Sequence, residues 1–231
     1  MNNPKTIVVV GASRGIGKAI VQQLASQEEN TIIALARNTE ALAKAFSAFP
    51  NVKTGKLDLA KDVIEQLEVL LEQVTTIDLL INNAGLLVNK PFPTLTHEDL
   101  TLSYQVNVIS VMETVQAILP KMEKHGGHIV NISSMGGVQG TVKFPGLSAY
   151  STSKAALCSF TELFAEEYKN SPIKMNCLAL GAAQTEMLNE AFPGYQAPLS
   201  AEEMAAFIVN FSLTGHQWFN GKILPVSLST P

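Results

Sequence analysis

Short apolar runs alternate with amphipathic segments along this chain of 231 residues, and this alternation restricts the possible folds more than any other feature. The runs are rich in Val, Ile and Leu, which is typical of strands that are buried on both faces. They cover residues 6–10, 31–36, 52–57, 77–82, 128–133, 173–179 and 222–226. The pattern predicts an α/β chain folded as a Rossmann-type doubly wound parallel sheet of about seven strands, covered by helices on both faces.

Helix signals separate the predicted strands. Residues 15–26 and 63–74 have apolar positions at helical spacing, and Thr39 is expected to cap a helix that runs to about residue 47. Capping boxes at Thr96 and Ser200 predict helices that run towards residues 124 and 213. No linker, repeat or low-complexity tract divides the chain, and 46% of its residues are hydrophobic against 16% charged. We therefore predict one domain over residues 1–231.

A glycine-rich turn joins the first predicted strand to the first predicted helix. In this position backbone N–H groups and the start of the helix can hold a pyrophosphate, and glycines let the backbone approach it closely. An ordinary glycine-rich turn is the alternative. We predict that a dinucleotide contacts the turn at Gly11, Ser13, Arg14, Gly15, Ile16 and Gly17.

The charges near this turn bear on which dinucleotide is bound. An acidic residue about 20 positions past the glycine turn binds the ribose hydroxyls of NAD. In this chain that place holds Arg37, and Arg14 lies within the turn itself. Two cations suit the additional phosphate of NADP, which a carboxylate would repel. The alternative is that either arginine is an ordinary surface charge. NADP(H) is therefore the predicted cofactor.

Tyr150 and Lys154 are a candidate catalytic pair. They are four positions apart, so on a helix they share one face. An ammonium close to a phenol is expected to lower the pKa of the phenol, which suits it to acid–base work on a carbonyl or alcohol oxygen. The same spacing also arises by chance on a solvated helix face, so the rest of the chain must support this interpretation.

Several motifs resemble, in order and approximate spacing, those of the short-chain dehydrogenase/reductase family. Besides the glycine turn and the Tyr150–Lys154 pair they are Leu57-Asp58-Leu59, Asn82-Asn83-Ala84-Gly85 and Asn131-Ile132-Ser133-Ser134. Two of the matched positions have plainer alternatives, because Asp58 could cap a helix and Asn83-Ala84-Gly85 could be a simple turn. The resemblance implies further cofactor contacts at Asp58, Leu59, Asn83, Ala84, Gly85, Tyr150, Lys154, Gly181 and Thr185.

The resemblance also implies four catalytic residues. Tyr150 would exchange a proton with the substrate oxygen, which Ser134 would hydrogen-bond. Lys154 would bind the nicotinamide ribose and lower the pKa of Tyr150. Asn107 would help to hold a water that links Lys154 to solvent. Ser133, the neighbour of Ser134, is the residue most easily mistaken for the catalytic serine.

Two segments depart from the family pattern. Residues 140–146 lengthen the interval between the matched serine and tyrosine, and residues 180–185 lack the usual Pro-Gly pair. The first segment is expected to line the substrate pocket, and the second bears on the rigidity of the nicotinamide site. The segment between Thr185 and Ser200 is short, which suggests an open site. The candidate lining residues are Met135, Val142, Phe144, Leu147, Met187, Leu188, Phe192 and Tyr195.

Charge and composition argue against other classes of protein. A net charge of −4 is unlike that of a nucleic-acid-binding surface, and no run approaches the roughly 18 apolar residues of a membrane span. Residues 1–5 have no signal-peptide layout, so we expect a cytoplasmic protein. Cys158 and Cys177 are expected to be buried thiols, and the four histidines form no convincing metal site. The Gly-x-Ser-x-Gly motif of hydrolases is absent.

The predicted function is that of an NADPH-dependent reductase, which transfers hydride to a small ketone or aldehyde and can oxidise the alcohol in reverse. The resemblance implies a homodimer or homotetramer, packed through the helix from Thr96 and the helix of Tyr150. One alternative is an NAD-linked alcohol dehydrogenase. The other is a non-catalytic dinucleotide-binding protein, a redox sensor or scaffold, which would have no chemical need for the four catalytic residues.

Overall fold

A computed structural model describes residues 4–228, in which seven parallel strands form one sheet. The strands are β1 (Thr6–Val10), β2 (Thr31–Ala36), β3 (Val52–Lys56), β4 (Leu79–Asn82), β5 (Gly127–Ser134), β6 (Ile173–Leu180) and β7 (Ile223–Val226). Their order in the sheet is β3-β2-β1-β4-β5-β6-β7. The order reverses between β1 and β4, the kind of position where doubly wound sheets bind ligands. The predicted fold class is confirmed.

Helices cover both faces of this sheet. They are α1 (Gly15–Ala25), α2 (Thr39–Phe46), α3 (Val63–Leu70), α4 (His97–Tyr104), α5 (Ser110–Ile118), α6 (Ser148–Glu167), α7 (Glu186–Ala191) and α8 (Ala201–Thr214). Each face of the sheet has its own hydrophobic cluster, and strand β1 contributes to both. Ile7 belongs to the cluster with residues of α1 and α8, and Val8 to the cluster with residues of α3, α5 and α6. Successive side chains of a strand point to opposite faces, so a doubly covered strand must be apolar throughout.

The long helix predicted from Thr96 begins as expected but is not continuous. Its capping box forms, since the Thr96 hydroxyl accepts from the Asp99 N–H at 3.1 Å and the Asp99 carboxylate accepts from the Thr96 N–H at 3.0 Å. Residues 105–109 then form a π-helical turn between α4 and α5. The α-helix ends at Ile118 rather than near residue 124, because Pro120 follows and cannot donate a backbone hydrogen bond.

Two other helix starts differ from the prediction. Asn38, not Thr39, is the N-cap of α2, and its side-chain oxygen accepts from the Ala41 N–H at 3.0 Å. An Asn side chain is at least as good a cap as Thr, so the cap lies one residue earlier. Helix α7, which periodicity did not predict, starts where the Thr185 hydroxyl accepts from the Leu188 N–H at 3.2 Å. The capping box at Ser200 forms as predicted.

Some predictions concern residues at the chain ends. The expectation of no signal peptide rests partly on residues 1–3, and the single-domain prediction also extends over residues 1–3 and 229–231, all of which lie outside the described residues. Within residues 4–228 no helix is long and apolar enough to cross a bilayer, and no cluster of three His, Cys, Asp or Glu side chains could hold a metal ion. Cys158 and Cys177 are buried free thiols with their sulfur atoms 4.0 Å apart.

Candidate active site

A cavity of about 650 Å³ lies at the carboxyl ends of the central strands. The ends of β1, β2, β5 and β6 and the segments that follow β3 and β4 all contribute to its wall. The cavity brings together the predicted cofactor and catalytic residues Gly11, Ser13, Arg14, Gly15, Ile16, Arg37, Asp58, Leu59, Asn83, Ala84, Gly85, Ser134, Tyr150, Lys154, Gly181 and Thr185. Gly17 and Asn107 are not among its lining residues.

The glycine turn is packed tightly against the segment that follows β4. Gly11 has a φ of +87°, and a Cβ placed on it would lie 2.6 Å from the Ala84 Cα, so only glycine fits there. The Asn83 side-chain amide donates to the Gly11 carbonyl oxygen at 3.0 Å. Gly17 lies in the first turn of α1, and a Cβ placed on it would lie 2.0 Å from the same Gly11 carbonyl oxygen. Gly17 therefore supports the turn from behind and does not face the cavity.

The start of α1 fits an anionic group. In the part of the chain that the structure describes, no side chain caps α1, and its first turn carries no acidic residue. Unpaired N–H groups and the positive end of the helix dipole at such a terminus attract phosphate oxygens. Gly15, at a φ of +52°, keeps this terminus free of a side chain. The pyrophosphate of a dinucleotide therefore suits this part of the cavity.

The segments after β2 and β3 form the neighbouring wall. Arg37 follows β2 at the cavity edge and is exposed to solvent. Asp58 does not cap α3, because Asp62 occupies that N-cap position. Instead the Asp58 carboxylate accepts from the Ala60 N–H at 3.2 Å. The Gln66 side chain holds the Asp58 backbone from both sides, accepting from its N–H at 2.9 Å and donating to its carbonyl oxygen at 3.0 Å.

Arg14 is bound to the short helix α7. Its guanidinium nitrogens lie 2.6 and 3.3 Å from the two carboxylate oxygens of Glu190, a bidentate ion pair. The pKa of Arg14 is raised, chiefly by this hydrogen-bonded pairing. Both side chains are at least half exposed. No local pattern could reveal this pairing, because the two residues are 176 positions apart in the sequence.

The predicted acid–base residues come from two rigid elements. Ser134 is the last residue of β5, while Tyr150 and Lys154 lie on successive turns at the start of α6. The Ser134 hydroxyl accepts from the Gly136 N–H at 3.3 Å, and the Ser134 side chain acts to lower the pKa of Tyr150. The Lys154 ammonium lies 5.9 Å from the centre of the Tyr150 ring and donates to the Ile132 carbonyl oxygen at 2.8 Å. Serine, tyrosine and lysine thus meet at one end of the cavity.

The protonation of this group differs from the sequence-based expectation. Burial raises the pKa of Tyr150, and the hydrogen bond with Ser134 opposes that effect only in part. Burial also lowers the pKa of Lys154 to about 8, against smaller opposing effects from Cys177 and Cys158. The expectation that Lys154 lowers the pKa of Tyr150 is therefore wrong for this structure. A low-dielectric site disfavours both phenolate and ammonium, and Lys154 is not among the causes of the shift in the Tyr150 pKa.

Asn107 lies outside the cavity but is connected to it. It is fully buried in the π-helical turn, where its side-chain oxygen accepts from the Leu86 N–H at 2.8 Å. Its amide nitrogen donates to the Leu86 carbonyl oxygen and to the Ser153 hydroxyl, both at 2.9 Å. The side chain therefore fixes the segment after Gly85, and a Cβ on Gly85 would lie 3.3 Å from the Lys154 ammonium. Asn107 acts on the site through its neighbours.

Ser133 and Lys143 hold the surroundings in place. The Ser133 hydroxyl donates to the Lys154 carbonyl oxygen at 2.9 Å, so this serine anchors α6 to β5 and does not take the position of Ser134. The Lys143 ammonium donates to carbonyl oxygens of the turn after β5, including that of Gly136 at 2.9 Å. It folds the loop of residues 140–146 against that turn. A single lysine in a glycine-rich loop gave no signal of this role.

The loop after β6 is well supported without the Pro-Gly pair. The Gly181 N–H donates to the Val226 carbonyl oxygen of β7 at 2.9 Å, and the next two alanines are buried. The Thr185 hydroxyl caps α7, and its methyl group lies 3.3 Å from the place where a Cβ on Gly15 would stand. Packing and strand contacts therefore supply the rigidity that the missing proline put in doubt.

The apolar side of the cavity matches most of the predicted lining. Six of the eight candidates line it: Met135, Phe144, Leu147, Met187, Leu188 and Phe192. Val142 and Tyr195 do not, and Val142 is 55% exposed. That the short segment after Thr185 leaves the site open stays a prediction, and within this segment α7 is held by two contacts. Glu190 binds Arg14, and the Ala191 carbonyl oxygen accepts from the Asn89 side chain at 2.9 Å.

Several known proteins are similar to this chain in sequence and fold. A family model described as short chain dehydrogenase matches residues 5–196. Ketoacyl reductase HetN of Nostoc sp. is 34% identical over 191 residues, which are 79% of this chain and 65% of HetN, less than two thirds of that relative. Carbonyl reductase family member 4 of Danio rerio is 34% identical over 186 residues, 78% of this chain and 76% of that protein. The Pseudomonas aeruginosa RhlG/NADP active-site complex superposes with a TM-score of 0.85 at 25% identity, over 98% of each chain.

Proposed function

This chain belongs to the short-chain dehydrogenase/reductase family, and we propose that it is an NADPH-dependent reductase of ketones or aldehydes. The observation that carries the proposal is the meeting of Ser134, Tyr150 and Lys154 at the end of a cavity that continues to the glycine turn. One molecule could place its diphosphate at the start of α1 and its reactive ring beside Tyr150. A carbonyl compound would then fill the apolar remainder of the cavity.

In the proposed reaction, a reduced nicotinamide held in the cavity would supply a hydride for the carbonyl carbon. Tyr150 donates its hydroxyl proton to the carbonyl oxygen, so the carbonyl gains one hydride and one proton and becomes an alcohol. Ser134 hydrogen-bonds the same oxygen and stabilises the negative charge that develops on it. Lys154, near the phenol, returns a proton towards Tyr150, and Asn107 holds the Leu86 backbone and the hydroxyl of Ser153, the neighbour of Lys154.

The pKa shift of Tyr150 suits it to the role of proton donor. A raised pKa keeps Tyr150 protonated at neutral pH, which is the form that donates to an alkoxide. Lys154, with its pKa lowered to about 8, is close enough to neutrality to pass a proton on. The reverse oxidation would need the deprotonated phenol, so we expect it to be favoured at higher pH.

The preference for NADPH rests on charge. Arg37 borders the cavity where the second strand ends, and among residues 4–228 it takes part in no ion pair. It is therefore free to bind the 2′-phosphate of NADP. The likeness to a structure that contains NADP supports the same assignment. Arg14 would assist only after leaving Glu190, and this pairing favours the NAD-linked alcohol dehydrogenase as second candidate.

The substrate is proposed to be a small carbonyl or alcohol compound with an apolar body. The apolar side chains that line the cavity are mainly Leu, Met and Phe, and they offer few groups to hold a charged substrate. We further propose a cytoplasmic homodimer or homotetramer packed through α4 and α6. Leu100 on α4 and Leu163 on α6 are 40% and 67% exposed, which supports such packing. A monomer in light scattering would contradict it.

Turnover of NADPH with a panel of aromatic ketones, diketones, aldehydes and quinones tests the proposal. Tyr150→Phe should lower kcat by at least about a hundredfold, since it removes the proton donor. Tyr104→Phe is the matched control, because Tyr104 lies on α4 and is 37% exposed. Repeating the panel with NADH separates the two cofactor assignments. Tight NADPH binding without turnover of any substrate would instead favour the non-catalytic sensor or scaffold.

A further inference from the structure

Helix α7 places two carboxylates beside the glycine turn, and one of them, Glu186, lines the cavity. Glu186 and Glu190 are four positions apart and so share one face of this helix. Glu190 holds the Arg14 guanidinium in the bidentate ion pair. Glu186 has a carboxylate oxygen 3.4 Å from the place where a Cβ on Gly15 would stand, and its charge also raises the pKa of Arg14. Both carboxylates thus occupy the surroundings of the glycine turn.

We propose that Glu190 competes with the dinucleotide for Arg14 and thereby sets how strongly this protein discriminates NADPH from NADH. The inference rests on the proposed function, because it concerns the same cofactor site. A carboxylate and a phosphate both bind a guanidinium through two parallel hydrogen bonds. Glu190 occupies the terminal Nη1 and Nη2 donors of Arg14. A 2′-phosphate that approaches this end of the guanidinium must therefore displace Glu190.

The two glutamates have different effects under this proposal. Glu190 withholds a cation that the 2′-phosphate can use, so its charge weakens NADPH binding more than NADH binding. Glu186 faces the start of α1, where the pyrophosphate common to both dinucleotides would lie. Its charge repels both dinucleotides to a similar extent. Glu190 thus controls discrimination, and Glu186 controls overall affinity.

Helix α7 is held near both of its ends, which limits how far Glu190 can move from Arg14. Thr185 caps α7 at its start, and the Asn89 side chain holds the Ala191 carbonyl oxygen at its end. The Glu190 carboxylate is therefore kept close to Arg14. The pair is 50% and 63% exposed, so the exchange of partners needs no buried charge to be uncovered.

Equilibrium binding of NADPH and NADH to the protein without substrate tests the proposal. The variants are Glu190→Gln, Glu186→Gln and Glu68→Gln, the last as a control that makes the same change in net charge on α3. Glu190→Gln should tighten NADPH binding by about two- to fivefold and NADH binding much less, as expected from losing an exposed ion pair. Glu186→Gln should tighten both by a similar factor, and Glu68→Gln should change neither.

A double-mutant cycle then shows whether Glu190 acts through Arg14. In an Arg14→Ala background, Glu190→Gln should leave the NADPH to NADH ratio of dissociation constants unchanged. The inference is overturned if Glu190→Gln fails to shift that ratio in the native background, or shifts it equally without Arg14. A failure of the proposed function is recognised from a different measurement, the cofactor preference of the native protein. A native protein that prefers NADH contradicts the cofactor assignment, whereas only the change in ratio between variants bears on Glu190.

Discussion

Buried His128 should make the stability of this protein depend on pH below neutrality. Its Nδ1 lies 2.8 Å from the Ser212 carbonyl oxygen, and its Nε2 lies 3.1 Å from the amide nitrogen of Asn176. That amide is oriented by the backbone, because its nitrogen donates to the Phe219 carbonyl oxygen and its oxygen accepts from the Lys222 N–H. Nδ1 therefore carries the proton of the neutral ring, and a second proton on Nε2 would face a donor.

The magnitude follows from the pKa shift. Burial lowers the pKa of His128 from 6.5 to about 4, and the nearby His216 ring acts in the same direction. Because the folded-state pKa is the lower one, the unfolded chain takes up the proton first. Stability is complete above about pH 6.5 and is lost as the pH falls towards about 4. The full loss is about 3 kcal/mol, of which about 2 kcal/mol is lost by about pH 5.

Urea unfolding at about pH 7 and about pH 5 measures this loss. The native protein should lose about 2 kcal/mol more between the two conditions than His128→Gln, which lacks the titrating ring. His97→Gln, on the exposed face of α4, should show the same pH dependence as the native protein. Titrating groups that do not contact His97 or His128 are common to all three proteins and cancel in the comparison. Equal losses in the native protein and in His128→Gln would refute the reasoning.

Two further predictions concern the cavity. Gly11→Ala should cost more than about 2 kcal/mol of unfolding free energy and abolish dinucleotide binding, since its Cβ would overlap Ala84 at positive φ. Gly140→Ala, which has positive φ but no atom within 4 Å of its Cβ, should cost only about 1 kcal/mol; similar denaturation midpoints would contradict the steric argument. Lys143→Met should raise the KM for carbonyl substrates several-fold, because the loop loses its bond to Gly136. Its dissociation constant for NADPH should stay unchanged, and a change there would place the loop in the cofactor site.

The strands and the glycine turn could be predicted because their signals are local. Residues 7–10 of β1 are apolar because both faces of the sheet are covered, and this run is recognisable without any partner. The turn is also recognisable locally from its glycine spacing, although the contact that requires glycine at position 11 is with Ala84 in the segment after β4. These two features were enough to place the cavity at the carboxyl ends of the strands.

Other features depend on contacts between distant residues. Helix α7 is six residues long and is held by one cap and two contacts from elsewhere in the chain, so it has little periodicity to detect. The π-helical turn arises where Asn107 reaches Leu86, 21 positions away. The pKa shift of Tyr150 was predicted with the wrong sign because the sequence shows the nearby lysine but not the depth of burial.

The contacts of Lys154 explain how the catalytic residues can stay in place while other segments around the cavity vary. Its carbonyl oxygen accepts from Ser133 and its ammonium donates to Ile132, so both ends of the residue are bound to β5. Tyr150 lies one helical turn earlier on the same helix, so these contacts fix its position as well. The loop of residues 140–146 and helix α7, in contrast, are attached mainly by exposed side chains. Substitutions in those two segments can therefore change which substrate and cofactor bind while leaving the proton donor where it is.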